Sequence, residues 1–455
     1  MVEFVRIQER RRLMKDLLLT GILAVMLTIL PGCSVMSPNI DELLRPPQLT
    51  AQQSDIHNAL QSTLGNGRTI KLKYPKRGEY LSAFVMYDLD NDDEEEALVF
   101  YEDANTEYGT RINILDNDGD GWVSCFDYPG NGSAVDQIQF VNVSGQEGCD
   151  ILIGWEYPNQ ELKTVNLYHY KDGKLQNLFS NTYSELVLVN LTGSIYSDMV
   201  LLESNSSSRP VDAKLVSLLE DGTIGVVGTE YRLTNPFVSY FQVQSGRTAD
   251  GMTAVFLDGY LGDNTLCTDV LYYDRVSGNL ASKLMYGEDD YTQQTLRSLE
   301  IGSMDIDGDG ITEIPILEPL PGYDASLGDE AMYLINYSAV DSTGIVRYTS
   351  VVMNLDAGYM LEFPDSWRDK VTITKQDKSN EWHFWIYDGS LSQMRGELLR
   401  IKVYSTKDYH DKFDTDTYRI IKTRGNFEYF AYIPPNMDEE YAITYEQLET
   451  MFSLL

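Results

Sequence analysis

Asp305-Ile306-Asp307-Gly308-Asp309-Gly310-Ile311-Thr312-Glu313 is a nine-residue stretch with acidic side chains at positions 1, 3, 5 and 9 and glycine at position 6. Oxygen ligands at this spacing can surround a hard cation such as calcium. An EF-hand loop also begins in this way, but it needs a Glu at position 12 and a helix on each side. Here position 12 is Ile316, and the apolar flanks, Leu299 to Met304 and Ile314 to Leu317, are short. The pattern therefore predicts a loop between two strands.

The same frame recurs along the chain and defines a repeat. Position 1 of the successive copies falls at five residues: Asp88, Asn142, Asn190, Ser245 and Asp305. A glycine after a further β-like run follows each position 1 by 31 to 39 residues, at Gly119, Gly173, Gly222, Gly278 and Gly344. Each unit thus reads as strand, loop, strand, connection, strand, glycine turn, strand, which is the content of a propeller blade.

The pattern D-x-D-x-D-G-x-x-[DE] between strands, repeated over residues 68–355, resembles the FG-GAP/VCBS repeats of integrin-type β-propellers. The resemblance implies a mainly β fold with about five four-stranded blades and calcium in the acidic loops. The second to fourth copies have lost most of their acids, so the implied ligands are those of the first and fifth copies: Asp88, Asp90, Asp92, Glu96, Asp305, Asp307, Asp309 and Glu313. In the first copy Asp93 stands where glycine is usual and has to adopt a glycine-favoured conformation. Residues 70–74 could supply a strand that closes the ring against the last blade.

The N-terminus has the features of an export signal. Five basic residues precede an apolar run, Leu17 to Leu30, that is short for a membrane span: Arg6, Arg10, Arg11, Arg12 and Lys15. The run ends in Leu30-Pro31-Gly32-Cys33-Ser34, which resembles the lipobox of bacterial lipoproteins. The resemblance implies that residues 1–32 are removed and that acylated Cys33 tethers the protein to lipid on the outer face of the cell membrane. An ordinary signal peptide or an N-terminal anchor is the alternative.

Composition excludes one class of partner and one class of site. The formal net charge of -35 repels phosphate backbones, so we expect no binding to nucleic acid. The aromatic content of 11%, with 31 Tyr, favours sheet. Beyond Cys33 the chain has an odd number of cysteines and no CxxC, which argues against a disulfide framework or a zinc site. We expect buried free thiols at Cys125, Cys149 and Cys267.

The repeats lie between two other segments. Residues 33–67 read as a tether followed by one amphipathic helix over about 50–64, opened by a capping box at Thr50 and Gln53. Residues 356–455 read as a separate α+β domain with six strands, a short helix over 405–413 and a final helix capped by Thr444 and Gln447. The expected strands are 359–363, 370–374, 381–387, 398–404, 418–422 and 427–432.

Catalytic motifs find little support in the sequence. The run Asp116 to Trp122 begins like an EF-hand, but it coincides with a glycine turn of the repeat, so we expect a hairpin. None of the four histidines has metal-ligand spacing, and no nucleophile elbow or phosphate-binding loop is present. Aromatic pairs such as Trp155 with Tyr157, or Trp382 with Trp385, can stack on sugars but are more typical of a core.

These features favour a lipid-anchored cell-surface protein that acts as a non-enzymatic, calcium-stabilised binding module for an extracellular protein or glycan. Two alternatives stay open: a propeller-based glycan hydrolase or lyase, and a purely structural envelope component. A funnel of convergent carboxylates and aromatic side chains would favour the enzyme, whereas a flat acidic face would favour binding.

The prediction that Cys33 is acylated can be tested by substituting that residue. We expect Cys33→Ala to leave the protein unprocessed or to release it from the membrane fraction, because the thiol is the site of acylation. Mass spectrometry and detergent partitioning measure both effects, and Ser34→Ala serves as the neighbouring control. Unchanged mass and partitioning in Cys33→Ala would contradict the lipoprotein hypothesis.

Overall fold

The computed structural model describes residues 49–65, 68–103, 109–117, 119, 121–204, 211–262, 264–324, 331–376, 380–405 and 417–455. The described residues from Ile56 to Leu455 belong to one compact unit. The predicted signal peptide, Cys33 and nearly all of the tether lie outside the described residues. Among the helices in the described part of the chain, none is long and apolar enough to cross a membrane.

The predicted first helix is present as α1, Ala51–Leu64. Its capping box forms, since the Thr50 amide donates to Gln53 Oε1 at 3.1 Å and the Gln53 amide donates to Thr50 Oγ1 at 3.2 Å. Ile56 and Leu60, one helical turn apart, are buried. The helical spacing of apolar residues therefore predicted this element correctly.

The rest of the described chain is mainly β, and its first four sheets are antiparallel meanders in chain order, except that β1 pairs with β3 and β14 pairs with β12. Sheet 1 contains β1 to β5: Ile70–Leu72, Phe84–Tyr87, Glu96–Asp103, Arg111–Asn117 and Trp122–Pro129. Sheet 2 contains β6 to β9: Ala134–Val141, Cys149–Glu156, Lys163–Lys171 and Lys174–Tyr183. Sheet 3 contains β10 to β14: Glu185–Val189, Asp198–Glu203, Asp212–Leu218, Ile224–Val226 and Tyr231–Arg232. Sheet 4 contains β15 to β18: Ser239–Arg247, Thr253–Tyr260, Leu266–Asp274 and Asn279–Ser282.

The C-terminal part forms a small hairpin and two five-stranded sheets. The hairpin consists of β19 and β20, Met285–Tyr286 and Asp289–Asp290. Sheet 5 has the order β21-β22-β23-β24-β30: Ile314–Pro319, Tyr333–Asp341, Gly344–Asn354, Tyr359–Glu362 and Phe452–Leu454. Sheet 6 has the order β25-β26-β27-β29-β28: Val371–Gln376, Glu381–Ser390, Gln393–Ser405, Phe427–Tyr432 and Arg419–Arg424. Helix α2, Tyr445–Met451, begins at the predicted capping box of Thr444 and Gln447.

The six strands predicted after residue 356 are thus all present. Two strands from this segment, β24 and β30, pair within sheet 5 rather than within sheet 6. The proposed domain boundaries, including the one at residue 355, stay predictions. Except for Ser405, which ends β27, the short helix expected over 405–413 lies outside the described residues.

Each sheet packs face to face against the next one in the chain. Ile151, Leu152 and Ile153 of β7 are all fully buried, because alternate side chains of a strand point to opposite faces. Ile151 and Ile153 belong to the core shared with sheet 1, and Leu152 belongs to the core shared with sheet 3. Further shared cores join sheets 3 and 4, sheets 4 and 5, and sheets 5 and 6. This serial stacking of meanders is propeller-like.

Two expectations about strands are wrong. The segment predicted to close a ring, residues 70–74, instead forms β1 within sheet 1, where Ile70 pairs with Asp103. The expected first strand of the fifth unit, Leu299 to Met304, makes only an isolated bridge between Met304 and Glu313.

The second error has a physical cause: the side chains of Asp258 in sheet 4 and of Arg297, just before the segment, hydrogen-bond to backbone groups of residues 299–304. Arg297 Nε donates to the Ile301 carbonyl at 2.8 Å, and the Ser303 amide donates to Asp258 Oδ2 at 2.8 Å. Arg297 Nη2 lies 2.7 Å from Asp258 Oδ1, and both side chains are fully buried. A backbone that is already hydrogen-bonded in this way has few groups left for a strand ladder.

We expect Arg297→Met to destabilise the protein by about 3–5 kcal/mol, because it leaves the Asp258 carboxylate buried without its cation. Urea or thermal unfolding measures this loss. The matched control is Arg232→Met, which removes the exposed ion pair with Asp212 and should leave the unfolding midpoint nearly unchanged. Equal effects of the two substitutions would contradict the role assigned to the buried pair.

Candidate cation-binding loops

The loop between the first two strands of a repeat has one contact in common among four copies. The carboxylate at position 9, where the next strand begins, turns back and accepts a hydrogen bond from the backbone amide of position 2. The donor-to-acceptor distances are 2.6 Å for Leu89 to Glu96, 2.9 Å for Val143 to Asp150, 2.8 Å for Leu191 to Asp198 and 3.1 Å for Ile306 to Glu313. This contact closes the loop and buries the carboxylate in all four copies.

In the second and third copies the buried carboxylate finds its remaining partners within the protein. Asp150 also accepts from the Ser144 amide at 2.6 Å, from Ser144 Oγ at 2.8 Å, and lies 2.8 Å from His169 Nδ1. Asp198 accepts from the Thr192 amide at 2.8 Å and from Thr192 Oγ1 at 3.0 Å. A hydroxyl at position 3 thus supplies a donor to the position-9 acid.

The fifth copy has an acid, Asp307, where these copies have a hydroxyl. Side-chain oxygens of Asp305, Asp307 and Asp309 lie within 4.8 Å of one another. Asp305 holds the loop by accepting from the amides of Gly308 at 2.7 Å and Gly310 at 2.9 Å. The three carboxylates therefore converge on one small volume.

Glu313, at position 9 of the same loop, has one carboxylate oxygen without a hydrogen-bond partner. Its side chain is fully buried, and Oε1 has no hydrogen-bond partner. Burial raises the pKa of Glu313 to about 7, the amide of Ile306 opposes the rise, and the neighbouring Asp carboxylates add to it. A buried carboxylate beside three other acids is the donor set that a hard cation satisfies. The three predicted ligands Asp305, Asp307 and Asp309 are brought together and fit a calcium ion, whereas the fourth, Glu313, lies outside that group.

The first copy repeats much of this arrangement. Ligand atoms of Asp88, Asp90 and Glu96 lie within 4.8 Å of one another, while Asp92 is outside that group and caps the amide of Glu94 at 2.8 Å. Burial raises the pKa of Glu96 to about 7. Three of the four predicted ligands are thus brought together.

The loop backbone of the first copy adopts the conformation that its sequence disfavours. Asn91 and Asp93 have φ values of +63° and +70°, close to the +81° and +86° of Gly308 and Gly310 at the same positions of the fifth copy. The expectation that Asp93 takes a glycine-favoured geometry is therefore confirmed.

Sequence reasoning missed one acid of the first loop. Ala97 pairs with Leu115, so the next register position sets Asp116 beside Glu96. Asp116 contributes to the raised pKa of both Glu96 and Asp90. The corresponding residue of the second copy is His169, which pairs with Asp150. Only strand register brings Asp116 to the loop, since 20 residues separate it from Glu96 in sequence.

The fourth copy has no such loop. Its expected position 1, Ser245, lies inside β15, and the connection to β16 is a short turn in which the Thr248 amide donates to the Met252 carbonyl at 2.9 Å. The EF-hand-like run at Asp116 forms the expected hairpin, since Asn117 pairs with Trp122 across β4 and β5; its Asp118 and Asp120 lie outside the described residues.

The cysteines and His383 lie outside the two acidic loops. Cys149 and Cys267 are buried free thiols as expected, but Cys125 is exposed, because it lies on the edge strand β5 of sheet 1. His383 Nδ1 lies 2.6 Å from Glu397 Oε1. Burial opposes the charged imidazole, but Glu381 and Glu397 outweigh it and raise the pKa of His383 to about 9.

No protein-family model matches the chain, and no curated protein sequence matches it. Among solved structures, the exotype rhamnogalacturonan lyase YesX has a TM-score of 0.29 at 11% identity, covering 71% of this chain and 64% of that one. The periplasmic gluconolactonase PpgL of Pseudomonas aeruginosa has a TM-score of 0.28 at 10% identity, and the match covers 73% of this chain and 95% of that one. TolB of Acinetobacter baumannii has a TM-score of 0.21 at 14% identity, and the match covers 62% of this chain and 58% of that one. The match thus spans less than two thirds of YesX and TolB, and TM-scores this low do not establish a shared fold.

Proposed function

We propose that this protein is a calcium-stabilised, non-enzymatic binding module held on the outer face of a bacterial membrane. One observation carries the calcium part: buried position-9 carboxylates are satisfied by hydroxyl donors in two loops, whereas Glu313 keeps an orphaned oxygen beside three acids. A closed propeller of about five FG-GAP/VCBS-type blades is the architecture that goes with this proposal.

The fifth loop would hold calcium through Asp305, Asp307, Asp309 and Glu313, and the first loop through Asp88, Asp90, Asp92 and Glu96. The ion would supply positive charge and so remove the repulsion among these carboxylates. Each loop would then be fixed between its two flanking segments. The net charge of -35 raises the local concentration of cations and supports their binding.

Anchoring and binding follow from the rest of the chain. Acylation of Cys33 would place the sheets outside the cell, with membrane lipid as one partner and an extracellular protein or glycan as the other. Two described histidines are paired with carboxylates, His169 with the buried Asp150 and His383 with the half-buried Glu397, which favours binding over acid–base catalysis. A glycan hydrolase or lyase and a structural envelope component are the competing functions.

We expect calcium to raise the unfolding temperature and chelation to lower it. A ligand at 100 times its dissociation constant adds about 2.7 kcal/mol to stability. Asp307→Ala should remove part of this response. Glu313→Gln should be harmless or stabilising in chelator, because it removes a buried charge, yet should weaken the calcium response. Thermal unfolding with and without calcium measures both.

Thr192→Ala is the matched control for these variants, since Thr192 is the position-3 residue of a loop that satisfies its own carboxylate. It should lower stability equally with calcium and with chelator. Unfolding that is indifferent to calcium would show that the acidic loops are only turns.

The binding function predicts retention without turnover. Full-length protein in mild detergent with calcium is presented with cell-wall glycans, mucin-type glycans and envelope proteins. We expect one of them to bind and to be recovered intact by chromatography and mass spectrometry. Cleavage of a glycan that is abolished by one carboxylate substitution, with the fold retained, would replace the binding function by an enzymatic one.

A further inference from the structure

An open cleft of about 450 Å³ lies beside the first acidic loop. It is formed where β2 and β6 end and where the loops of the first three copies approach one another. Six of the residues that line it are Tyr87, Asn91, Phe140, Asn142, Gly148 and Ser197. The volume falls within the range of small-molecule sites, roughly 300–1,000 Å³.

One wall of the cleft is aromatic and restrained. The rings of Tyr87 and Phe140 stack with centroids 3.8 Å apart and planes 11° apart. Tyr80 meets Phe140 edge-on at 5.1 Å. All three side chains are partly exposed. Rings that are ordered before a ligand arrives lose little conformational entropy on binding.

The cleft also has polar lining residues, and contacts between the second and third loops hold two of them. The Ser197 amide donates to the Asn142 carbonyl at 2.8 Å, which joins the third loop to the second. The Tyr196 ring covers Gly145 so closely that a Cβ on Gly145 would lie 2.5 Å from it. Asn142 Oδ1 accepts from the Gly145 amide at 3.2 Å and holds its own loop. Asn142 and Ser197 are therefore presented by two loops that hold each other in place.

The cleft is uncharged within a strongly acidic protein. Its lining contains no Asp, Glu, Lys, Arg or His among the described residues. Burial raises the pKa of the lining thiol, Cys149, to about 12, so that group is neutral as well. The neighbouring loop with Asp88 and Asp90 disfavours anions at the rim.

We propose that this cleft binds one or two rings of a neutral sugar. The C–H face of a sugar ring packs on the aromatic wall, while its hydroxyls bond to Asn91, Asn142 and Ser197. An apolar peptide side chain would leave those polar groups unpaired, which is unfavourable. This inference rests on the binding function proposed above and assigns it a site and a class of ligand.

The test is titration calorimetry of full-length protein in mild detergent with calcium. The probes are N-acetylglucosamine, N,N′-diacetylchitobiose, cellobiose, maltose, lactose, galacturonic acid and a Leu-rich peptide. We expect at least one neutral sugar to bind and galacturonic acid and the peptide not to bind. Tyr87→Leu, which keeps apolar packing but removes the ring, should weaken binding about tenfold, a loss of roughly 1.4 kcal/mol. Ser197→Phe, which fills the cleft, should abolish it.

Phe241→Leu is the matched control, because Phe241 is a 40% exposed aromatic on sheet 4, away from the cleft lining. It should leave sugar affinity unchanged. Binding of no neutral sugar, binding of the acid or the peptide instead, or affinity unaffected by both cleft variants would overturn the inference. Sugar binding insensitive to both variants would leave the binding function standing without this site. Cleavage of a sugar that still depends on Tyr87 would instead overturn the non-enzymatic function and keep the site.

Discussion

In four of the five repeats, the carboxylate at loop position 9 accepts a hydrogen bond from the amide of position 2, and the geometry of the loop depends on this contact. The contact places the position-9 carboxylate in a buried position beside the loop. A buried carboxylate is unfavourable unless hydrogen-bond donors or cations surround it. Asp150 and Asp198 receive them from Ser144 and Thr192. Glu313 does not, and its loop gathers three further acids. One backbone geometry therefore supports both a self-contained turn and a candidate cation site, and the residue at position 3 decides between them.

Stacking of the meanders follows from strands that are apolar on both faces. Each such strand needs an apolar layer on either side, so sheets added in chain order pack in chain order. Between sheets 4 and 5 this regularity is interrupted by a buried ion pair, Arg297 with Asp258. The pair and its hydrogen bonds connect the irregular segment before the fifth loop to sheet 4. Side-chain contacts, and not a strand, therefore hold the N-terminal side of the fifth loop in place.

The candidate cation site and the cleft are connected through the first loop. Asn91 belongs to the loop of Asp88 and Asp90 and also lines the cleft. A cation that orders this loop would order one wall of the ligand site as well. Calcium in this protein would then act on binding through geometry, with no contact between ion and ligand required.

Local pattern determined the elements, because the period of apolar residues, the capping boxes and the glycine turns are readable over a few residues. Helices α1 and α2, the meanders of sheets 1 to 3 and the loop positions of Asp88 and Asp305 were predictable in this way. Tertiary structure decided what depends on register and packing between distant segments. Asp116 reaches Glu96 only through the pairing of Ala97 with Leu115, and Tyr87 stacks on Phe140 only because sheet 1 packs on sheet 2. The apolar segment 299–304 does not form a strand, because the side chains of Arg297 and Asp258 hydrogen-bond to its backbone.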